Sequence, residues 1–319
     1  MRNLKTYTFV ILLGFLFLEV WVGFPIQLEK KIEEPRPLAL YDNNGAEKVM
    51  KEVHLVESRS GTRDWELFAE TAEGYAGQGS WELKNVKVLF YSGEKIEFTV
   101  TGKTGRIDSK TKDMQIAGDV STVSSNGYLF QSASLIYLAD TRLLKSPDRI
   151  RMISPPDENG KGMQLDGEKM EANVDKSLMR ISNGVIAKKQ MNDGKTFVIK
   201  SQVAEFSGHD NSAKFLEKVM IELDTMRMEG PEAQFSYRQG TEMLQSILMR
   251  GGVRVSDIDK YATSEAVRFD PTDNRFTLTG RPRVVQNNDE ILGDQIIFID
   301  GGKRVKVENI RARVEKVRE

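Results

Sequence analysis

The sequence predicts an all-β protein that follows a single N-terminal transmembrane helix. Three observations support this prediction. One apolar run near the N-terminus has about 20 residues, which is enough to span a bilayer. Apolar and polar residues alternate over most of the remaining chain, which is typical of strands. The alternation recurs in similar units at intervals of roughly 30 to 35 residues, which favours a stack of hairpin layers.

The apolar run at residues 6–28 is predicted to be an uncleaved membrane anchor. Arg2 and Lys5 precede it, and a basic flank stays in the cytoplasm, so the rest of the chain lies on the far side. A cleaved signal peptide is the alternative, but no small-x-small cleavage site follows the run. We therefore expect a transmembrane anchor at residues 1–28 and a charged, proline-containing linker at residues 29–45.

The repeat consists of two alternating runs joined by a polar turn. Turns such as SSNG and MNDG are rich in the residues that reverse a chain. In the run at residues 113–123, alternation points Met114, Ile116 and Val120 to the same face, and Gly118 marks a bend or bulge. Similar units begin near Trp65, Ile96, Tyr128, Met163, Phe197, Met226, Tyr261 and Ile291. A stack of this kind forms a folded-over antiparallel sheet with an elongated apolar interior.

Composition argues against several classes of function. The 319 residues carry a formal net charge of −1, which gives no reason to expect a nucleic-acid partner. Cysteine is absent, and the two histidines, His54 and His209, fall in unlike settings, so no metal site or catalytic triad is expected. No nucleotide-binding motif or distinguished carboxylate pair occurs. We expect no enzyme activity and no cofactor.

Two parts of the sequence resemble known families. The residues WELFA at 65–69, KNVKV at 84–88, GDV at 118–120 and LLKSPDRIRM at 143–152, in this order after an anchor, resemble the LptC family over about residues 1–190. The segment RFTLTGRPRVVQNNDEILGDQIIFI is similar to LptA, or OstA-like, domains. The chain therefore looks like an anchor followed by an LptC-like domain at 46–190 and an LptA-like domain at 191–319.

The resemblance implies a function in lipopolysaccharide export. It implies two stacked β-jellyroll units, an apolar groove that holds lipid acyl chains, and a single-pass location in the inner membrane with the bulk of the chain in the periplasm. The implied partners are lipopolysaccharide, the inner-membrane ABC transporter complex, and soluble or outer-membrane OstA-like domains. The last would bind by pairing of edge strands. The basic run that ends the chain suits a terminal strand whose charge prevents indiscriminate pairing, and a solvated tail is the alternative.

Alternation selects the residues that would line the groove. The candidates are Leu67, Val86, Val88, Phe98, Val100, Met114, Ile116, Val120, Leu129, Leu165, Ile199, Phe215, Met228, Leu278 and Ile297. A closed hydrophobic core needs the same pattern, so a structural periplasmic scaffold without a lipid ligand is the alternative. An envelope enzyme that acts on polysaccharide is a third hypothesis, and it would require a pair of carboxylates in a cleft.

Overall fold

The computed structural model describes residues 48–75, 77, 79–156, 160–238, 243–286, 289–299 and 304–313. Every regular element among them is a β-strand, and the paired strands are antiparallel. The all-β prediction is confirmed for this part of the chain. Within it, no helix has the length and apolar character needed to cross a membrane. The predicted anchor at 1–28 and linker at 29–45 lie outside the described residues.

The described residues form 22 strands. The first eleven are β1 (Lys48–Arg59), β2 (Thr62–Gly74), β3 (Ser80–Ser92), β4 (Lys95–Asp108), β5 (Met114–Ser124), β6 (Leu129–Leu138), β7 (Leu143–Ser146), β8 (Ile150–Ile153), β9 (Gln164–Gly167), β10 (Lys169–Asn173) and β11 (Leu178–Gln190). The others are β12 (Thr196–Ser207), β13 (Ser212–Leu223), β14 (Met226–Tyr237), β15 (Leu244–Ser256), β16 (Lys260–Asp270), β17 (Arg275–Thr279), β18 (Arg283–Gln286), β19 (Asp289–Leu292), β20 (Gln295–Ile299), β21 (Arg304–Glu308) and β22 (Arg311–Arg313).

The strands follow one another in a meander that divides twice. β1 to β6 pair in sequence, and β6 then pairs with β7 along one half and with β8 along the other. The divided strands β9 and β10 both pair with β11, and an undivided meander continues to β16. β16 divides again onto β17 and β18. One sheet thus runs through the compact unit Asp42–Glu319. The boundary proposed between 46–190 and 191–319 falls where β11 pairs with β12, and it stays a prediction.

A line of bulges, here called the crease, crosses the middle of the long strands. In β5 the register shifts between Ala117 and Val120, so that Gly118 and Asp119 stand opposite Ala133 alone. Both residues have left-handed backbone angles, with φ of 80° and 49°. Corresponding left-handed pairs occur in three other strands, at 183–184, 217–218 and 251–252. Because a bulge bends its strand, a line of bulges folds the sheet over on itself.

Small residues occupy the strands between these bulges. Glycine and serine alternate along the crease at Gly102, Ser132, Gly167, Ser201, Gly230 and Ser264. Each of the three serines donates a hydrogen bond from its Oγ to the carbonyl oxygen two residues ahead, at 2.9 to 3.0 Å. At two of the glycines, Gly102 and Gly167, an added Cβ would overlap an isoleucine methyl group on a neighbouring strand. The crease therefore admits only side chains that are absent or short.

Folding at the crease brings two rows of turns together. We call the turns at 109–113, 139–142, 174–177 and 208–211 row A, and those at 93–94, 125–128, 191–195 and 224–225 row B. Because sheets twist, row A of later strands lies over row B of earlier ones. Arg142 of row A, for example, contacts Asp64 and the carbonyl of Tyr91, which lie beside row B. The apolar core lies between the two halves.

The two ends of the sheet have strands that pair on one side among the described residues. β1 pairs with β2, and at the other end β21 pairs with β20 and β22 pairs with β19. The basic run that ends the chain thus contributes β21 and β22, and Val305 on β21 is 47% exposed. Both ends offer backbone groups to which another strand could be added.

Candidate functional site

The apolar interior contains thirteen of the fifteen candidate groove residues. None of these thirteen is more than 5% exposed. They are Leu67, Val86, Val88, Phe98, Val100, Met114, Ile116, Val120, Leu165, Ile199, Phe215, Met228 and Leu278. They come from both halves of the folded sheet and belong to one continuous cluster of buried apolar residues. Their role in lipid binding stays a prediction.

Leu129 and Ile297 are half-buried rather than buried. Their neighbours Phe130 and Ile296 take the inward positions, with exposures of 4% and 0%. Ile296 faces Leu278 directly in the pairing of β17 with β20. At both places several apolar residues are adjacent in sequence, so alternation alone does not select the inward one.

The interior also includes large side chains that were not among the candidates. Phe90, Tyr137, Leu144 and Met152 are at most 1% exposed. Leu144 and Met152 belong to the short strands β7 and β8, whose four residues each give little periodicity. Phe90 and Tyr137 contact each other with ring centroids 4.6 Å apart, across the fold between β3 and β6. The sequence signal for Phe90 and Tyr137 is the same alternation of apolar and polar residues, in the longer strands β3 and β6.

Aromatic rings fill the interior of the second half. The ring centroid of Phe215 lies 5.3 Å from that of Phe235 and 6.4 Å from that of Phe206, in edge-to-face arrangements. Phe197 lies 6.3 Å from Phe235. This packing closes the middle of the interior. Entry of a chain between the two halves therefore requires them to separate.

Two clefts open from this interior to the surface. The first, here called the seam cleft, has a volume of about 110 Å³ and lies between Phe98, Phe130 and Met152 on one side and Leu178, Met179 and Phe206 on the other. The second has a volume of about 120 Å³ and lies near the last strands, where Leu278, Phe276 and Phe298 face Met226 and Val255. Both are lined mainly by apolar atoms, so both are suited to hydrocarbon.

A buried ion cluster joins the two turn rows at the N-terminal end. Arg142 Nε lies 2.8 Å from Asp64 Oδ1, and the two side chains are only 11% and 2% exposed. The Arg142 guanidinium also contacts Asp175 and donates a hydrogen bond to the Tyr91 carbonyl oxygen. Arg59 Nε, which is more exposed, lies 3.6 Å from Asp64 Oδ2. The cluster acts as a clasp, since it holds row A against row B.

Tyr137 lies beside this cluster and is 1% exposed. Its hydroxyl group donates to Asp64 Oδ1 at 3.5 Å. Burial first, and the negative charge of Asp64 second, together raise the pKa of Tyr137 to about 12, while the positive charge of Arg142 acts in the opposite direction. A phenolate at this position would face a carboxylate inside the fold, so the neutral form is strongly preferred.

The raised pKa of Tyr137 predicts a loss of stability at high pH. The folded protein holds this proton more tightly than the unfolded chain, whose tyrosine has a pKa of about 10. Its contribution to stability is therefore complete below pH 10 and is lost as the pH rises toward 12. We expect the unfolding free energy of the wild type to fall by about 1–2 kcal/mol more than that of Tyr137→Phe over this interval. Urea titrations at several pH values measure the unfolding free energy of both proteins. An equal decrease with pH in the wild type and in Tyr137→Phe would contradict the prediction.

The histidines occupy unrelated places in the structure. His54 stacks on Phe68, with ring centroids 4.3 Å apart, and its Nε2 lies 3.3 Å from Glu66 Oε2. His209 lies in the row A turn between β12 and β13. Within the part of the chain that the structure describes, no group of three metal-ligating side chains comes together. The two histidines thus belong to different elements, strand β1 and the turn between β12 and β13.

Comparisons with known proteins agree with the two-part organisation of the sequence. A family model described as lipopolysaccharide-assembly, LptC-related, matches residues 10–190. A second, described as LptA/(LptD N-terminal domain) LPS transport protein, matches residues 198–300. No curated protein matches the sequence.

One similar solved structure is LptH, the LptA homologous periplasmic component of the lipopolysaccharide transport device from Pseudomonas aeruginosa. It is 12% identical, with a TM-score of 0.34, and the match covers 38% of this chain and 95% of LptH. The LptC-related family model, in contrast, covers more than half of the 319 residues. The chain therefore belongs to the LptC-related lipopolysaccharide-assembly family, carries an LptA-like segment after the LptC-like one, and is a periplasmic component of lipopolysaccharide transport.

Proposed function

We propose that the apolar interior of the folded sheet binds the acyl chains of lipopolysaccharide and passes them from the inner-membrane transporter toward the outer membrane. The observation that carries this proposal is the continuity of the interior. Buried apolar side chains form one cluster from Leu67 in the LptC-like segment to Ile296 in the LptA-like segment. A lipid bound at one end could thus move along the sheet without leaving an apolar environment.

The driving force for binding is the hydrophobic effect. Each methylene group transferred from water to an apolar environment gains about 0.8 kcal/mol. A lipid with several acyl chains therefore crosses the aqueous periplasm only at great cost, and a continuous apolar path removes this cost at each step. Passage along such a path needs no covalent chemistry. Energy for directed movement would come from the ABC transporter complex.

Attachment to the membrane and to partner proteins completes the proposal. Residues 1–28 would anchor the chain in the inner membrane as a single span. The edge strands β1 and β22 would pair with the sheets of neighbouring components, because their backbone groups can extend the ladder. The LptA-like segment would shorten, or replace one link of, the bridge formed by separate OstA-like proteins.

A scaffold without a lipid ligand is the second candidate. It is favoured by the packing of Phe206, Phe215 and Phe235, which fills the middle of the interior. Lipid transport requires the two halves of the sheet to move apart there, whereas a scaffold requires them to stay closed. The two proposals therefore differ in whether lipid reaches residues that are buried when the two halves are packed together.

Photo-crosslinking distinguishes these two proposals. A photo-reactive residue replaces Ile116 in one variant and Leu278 in another, each in the full-length chain, and lipopolysaccharide is supplied in the presence of the transporter. Both positions are 2% exposed and lie in different family segments. We expect a lipid adduct at both, because one path is proposed to run through both segments.

Outward-facing residues provide the controls. Val123 on β5 and Val305 on β21 are 42% and 47% exposed, and the same probe there should give little adduct. Adducts at neither Ile116 nor Leu278, in protein that remains folded, would favour the scaffold. An adduct at only one of them would restrict the lipid path to that segment.

A further inference from the structure

The strands that cross the crease are of two kinds, which alternate. We call a strand bent if its layer has a residue with a left-handed backbone at the crease, and plain if it has none. Strands β1, β3, β5, β11, β13 and β15 are bent, whereas β2, β4, β6, β9, β10, β12, β14, β16, β19 and β20 are plain. Left-handed residues also join β17 to β18, at Gly280 and Arg281, and β21 to β22, at Asn309. A break at 147–149 takes this place between β7 and β8.

Side-chain size alternates in the same way along the crease. Bent layers carry valine or isoleucine, or Pro282 in the layer of β17 and β18, where the plain strands carry alanine, glycine or serine. None of the valine and isoleucine residues that follow is more than 8% exposed. The pairs, here called the crease row, are Val53 with Ala69, Val86 with Gly102, Val120 with Ser132, Ile150 with Gly167, Val185 with Ser201, Val219 with Gly230 and Val253 with Ser264.

Crowding at the fold explains this alternation. Side chains on the inner side of a bend lie close together, so a large residue fits only where its neighbours are small. An added Cβ at Gly230 would lie 3.0 Å from the Cγ of Met249, and one at Gly293 would lie 2.7 Å from the Cγ1 of Val307. Two large residues side by side in the crease row would therefore overpack it.

Both ends of the sheet finish on a bent layer with a large residue. At the C-terminal end, β19 pairs with β22 in a register that sets Ile310 opposite Gly293. Ile310 is 64% exposed, whereas Val185, which has a plain strand on each side, is 1% exposed. At the N-terminal end, Val53 of β1 has Ala69 on one side. Among the residues that the structure describes, each end of the crease row thus lacks its outer small residue.

We propose that each end of the sheet accepts a plain strand of a different protein, with glycine, alanine or serine beside Ile310 or Val53. This inference rests on the edge pairing in the proposed function, and it adds which strands these edges select. The partner strand has an extended backbone and a small residue at the crease. Strand β12 shows this fit inside the protein, because its Ser201 lies between the bent strands β11 and β13.

Copies of this chain are excluded as end-to-end partners by the same rule. A junction of β22 with β1, of β1 with β1 or of β22 with β22 joins two bent strands. It also sets two of the large residues Ile310 and Val53 side by side. Within the described part of the chain, no bent strand pairs with another bent strand. The protein therefore stands between unlike neighbours and does not form a filament of its own.

Peptide crosslinking tests the selection. A photo-reactive residue replaces Val305 on β21, which is 47% exposed, in the full-length chain in lipid nanodiscs. Two biotinylated peptides are added separately in excess. One copies β12, residues 196–207, and the other differs from it by Ser201→Val. We expect about fivefold more adduct with the β12 peptide, because a valine there would meet Ile310 at the crease.

A size swap in the protein separates shape from general affinity. Ile310→Gly makes room at the edge, so the peptide with Ser201→Val should give about threefold to fivefold more adduct with this variant than with the wild type. Ile258→Gly is the matched control, since Ile258 is 84% exposed in the turn between β15 and β16. It should leave the preference of the wild type unchanged.

Self-pairing is measured with the same probe. Full-length chain with the probe at Val305 is mixed in detergent with an excess of tagged chain, and adducts between copies are quantified. Val123 on β5, which is 42% exposed and lies away from both ends of the sheet, provides the background. We expect no more copy-to-copy adduct at Val305 than at Val123.

The outcomes separate this inference from the proposed function. Equal adducts with the two peptides, no adduct with either, no effect of Ile310→Gly, or copy-to-copy adducts above the background would overturn it. Lipopolysaccharide adducts at Ile116 and Leu278, found together with any of these results, would leave the proposed lipid path standing. Failure of the peptide tests and of the lipid crosslinks would contradict the two proposals together.

Discussion

Arg142→Met is expected to lower the free energy of unfolding by about 3–5 kcal/mol. The substitution keeps much of the side-chain volume but leaves the Asp64 carboxylate, which is 2% exposed, without its nearest cation. An uncompensated charge in the interior is strongly destabilising. Because Arg142 belongs to row A and Asp64 lies beside row B, the loss should also loosen the contact between the two halves. Urea-induced unfolding measures the change.

Two further variants test this explanation. Arg59→Met removes a cation that lies 3.6 Å from the same carboxylate but is 45% exposed, so we expect a loss of no more than about 1 kcal/mol. Combining Arg142→Met with Asp64→Leu removes the stranded charge and should recover part of the stability. If Arg59→Met were as damaging as Arg142→Met, or if the double variant recovered nothing, the buried pair would not be the cause.

Gly167→Val is expected to lower the free energy of unfolding by about 3 kcal/mol, at the upper end of the range for overpacked cores. Gly167 ends β9 at the crease, and an added Cβ would overlap the Cγ2 methyl of Ile181, which is 0% exposed. The strain arises because the interior is closely packed and Ile181 has no free space into which to move. Thermal or chemical denaturation gives the loss directly.

Gly208→Val is the matched control for the crease. Neither Gly167 nor Gly208 has a left-handed backbone, and an added Cβ at Gly208 would lie 3.4 Å from the Ser177 Cβ, an ordinary contact. We expect an effect of less than about 1 kcal/mol there. Adding Ile181→Leu, which moves the branch away from Cβ, should relieve part of the damage in Gly167→Val. A loss at Gly208 as large as that at Gly167 would argue against a steric cause.

Much of the fold could be predicted because strand signals are local. Alternation in runs such as Met114–Ser124 reports which side chains share a face, and Gly118 was expected to mark a bend. The structure confirms both, since Gly118 and Asp119 form a left-handed bulge. Thirteen of the fifteen candidate residues face inward for the same reason.

The phase of the alternation was ambiguous where apolar residues were adjacent. In β6 the inward positions change from Phe130 to Leu135 and Tyr137 across the crease, because the bulge shifts the register by one residue. Alternation continued back from Leu135 and Tyr137 therefore selects Leu129, whereas the inward residue is its neighbour Phe130. Ile297 lies in a run of four consecutive apolar residues, so alternation does not show which of them point inward. The pairing of Ile296 with buried Leu278 places Ile296 on the inward face.

The sequence by itself determined the all-β class, the repeat, the bends and most of the inward side chains, because these depend on residues close together in the chain. Only the tertiary structure decided which distant residues meet. The clasp joins Asp64 to Arg142, and the seam cleft joins Phe98 to Phe206. These contacts depend on the twist of the sheet and on folding at the crease, which accumulate over many strands. No short stretch of sequence therefore shows which distant residues will be in contact.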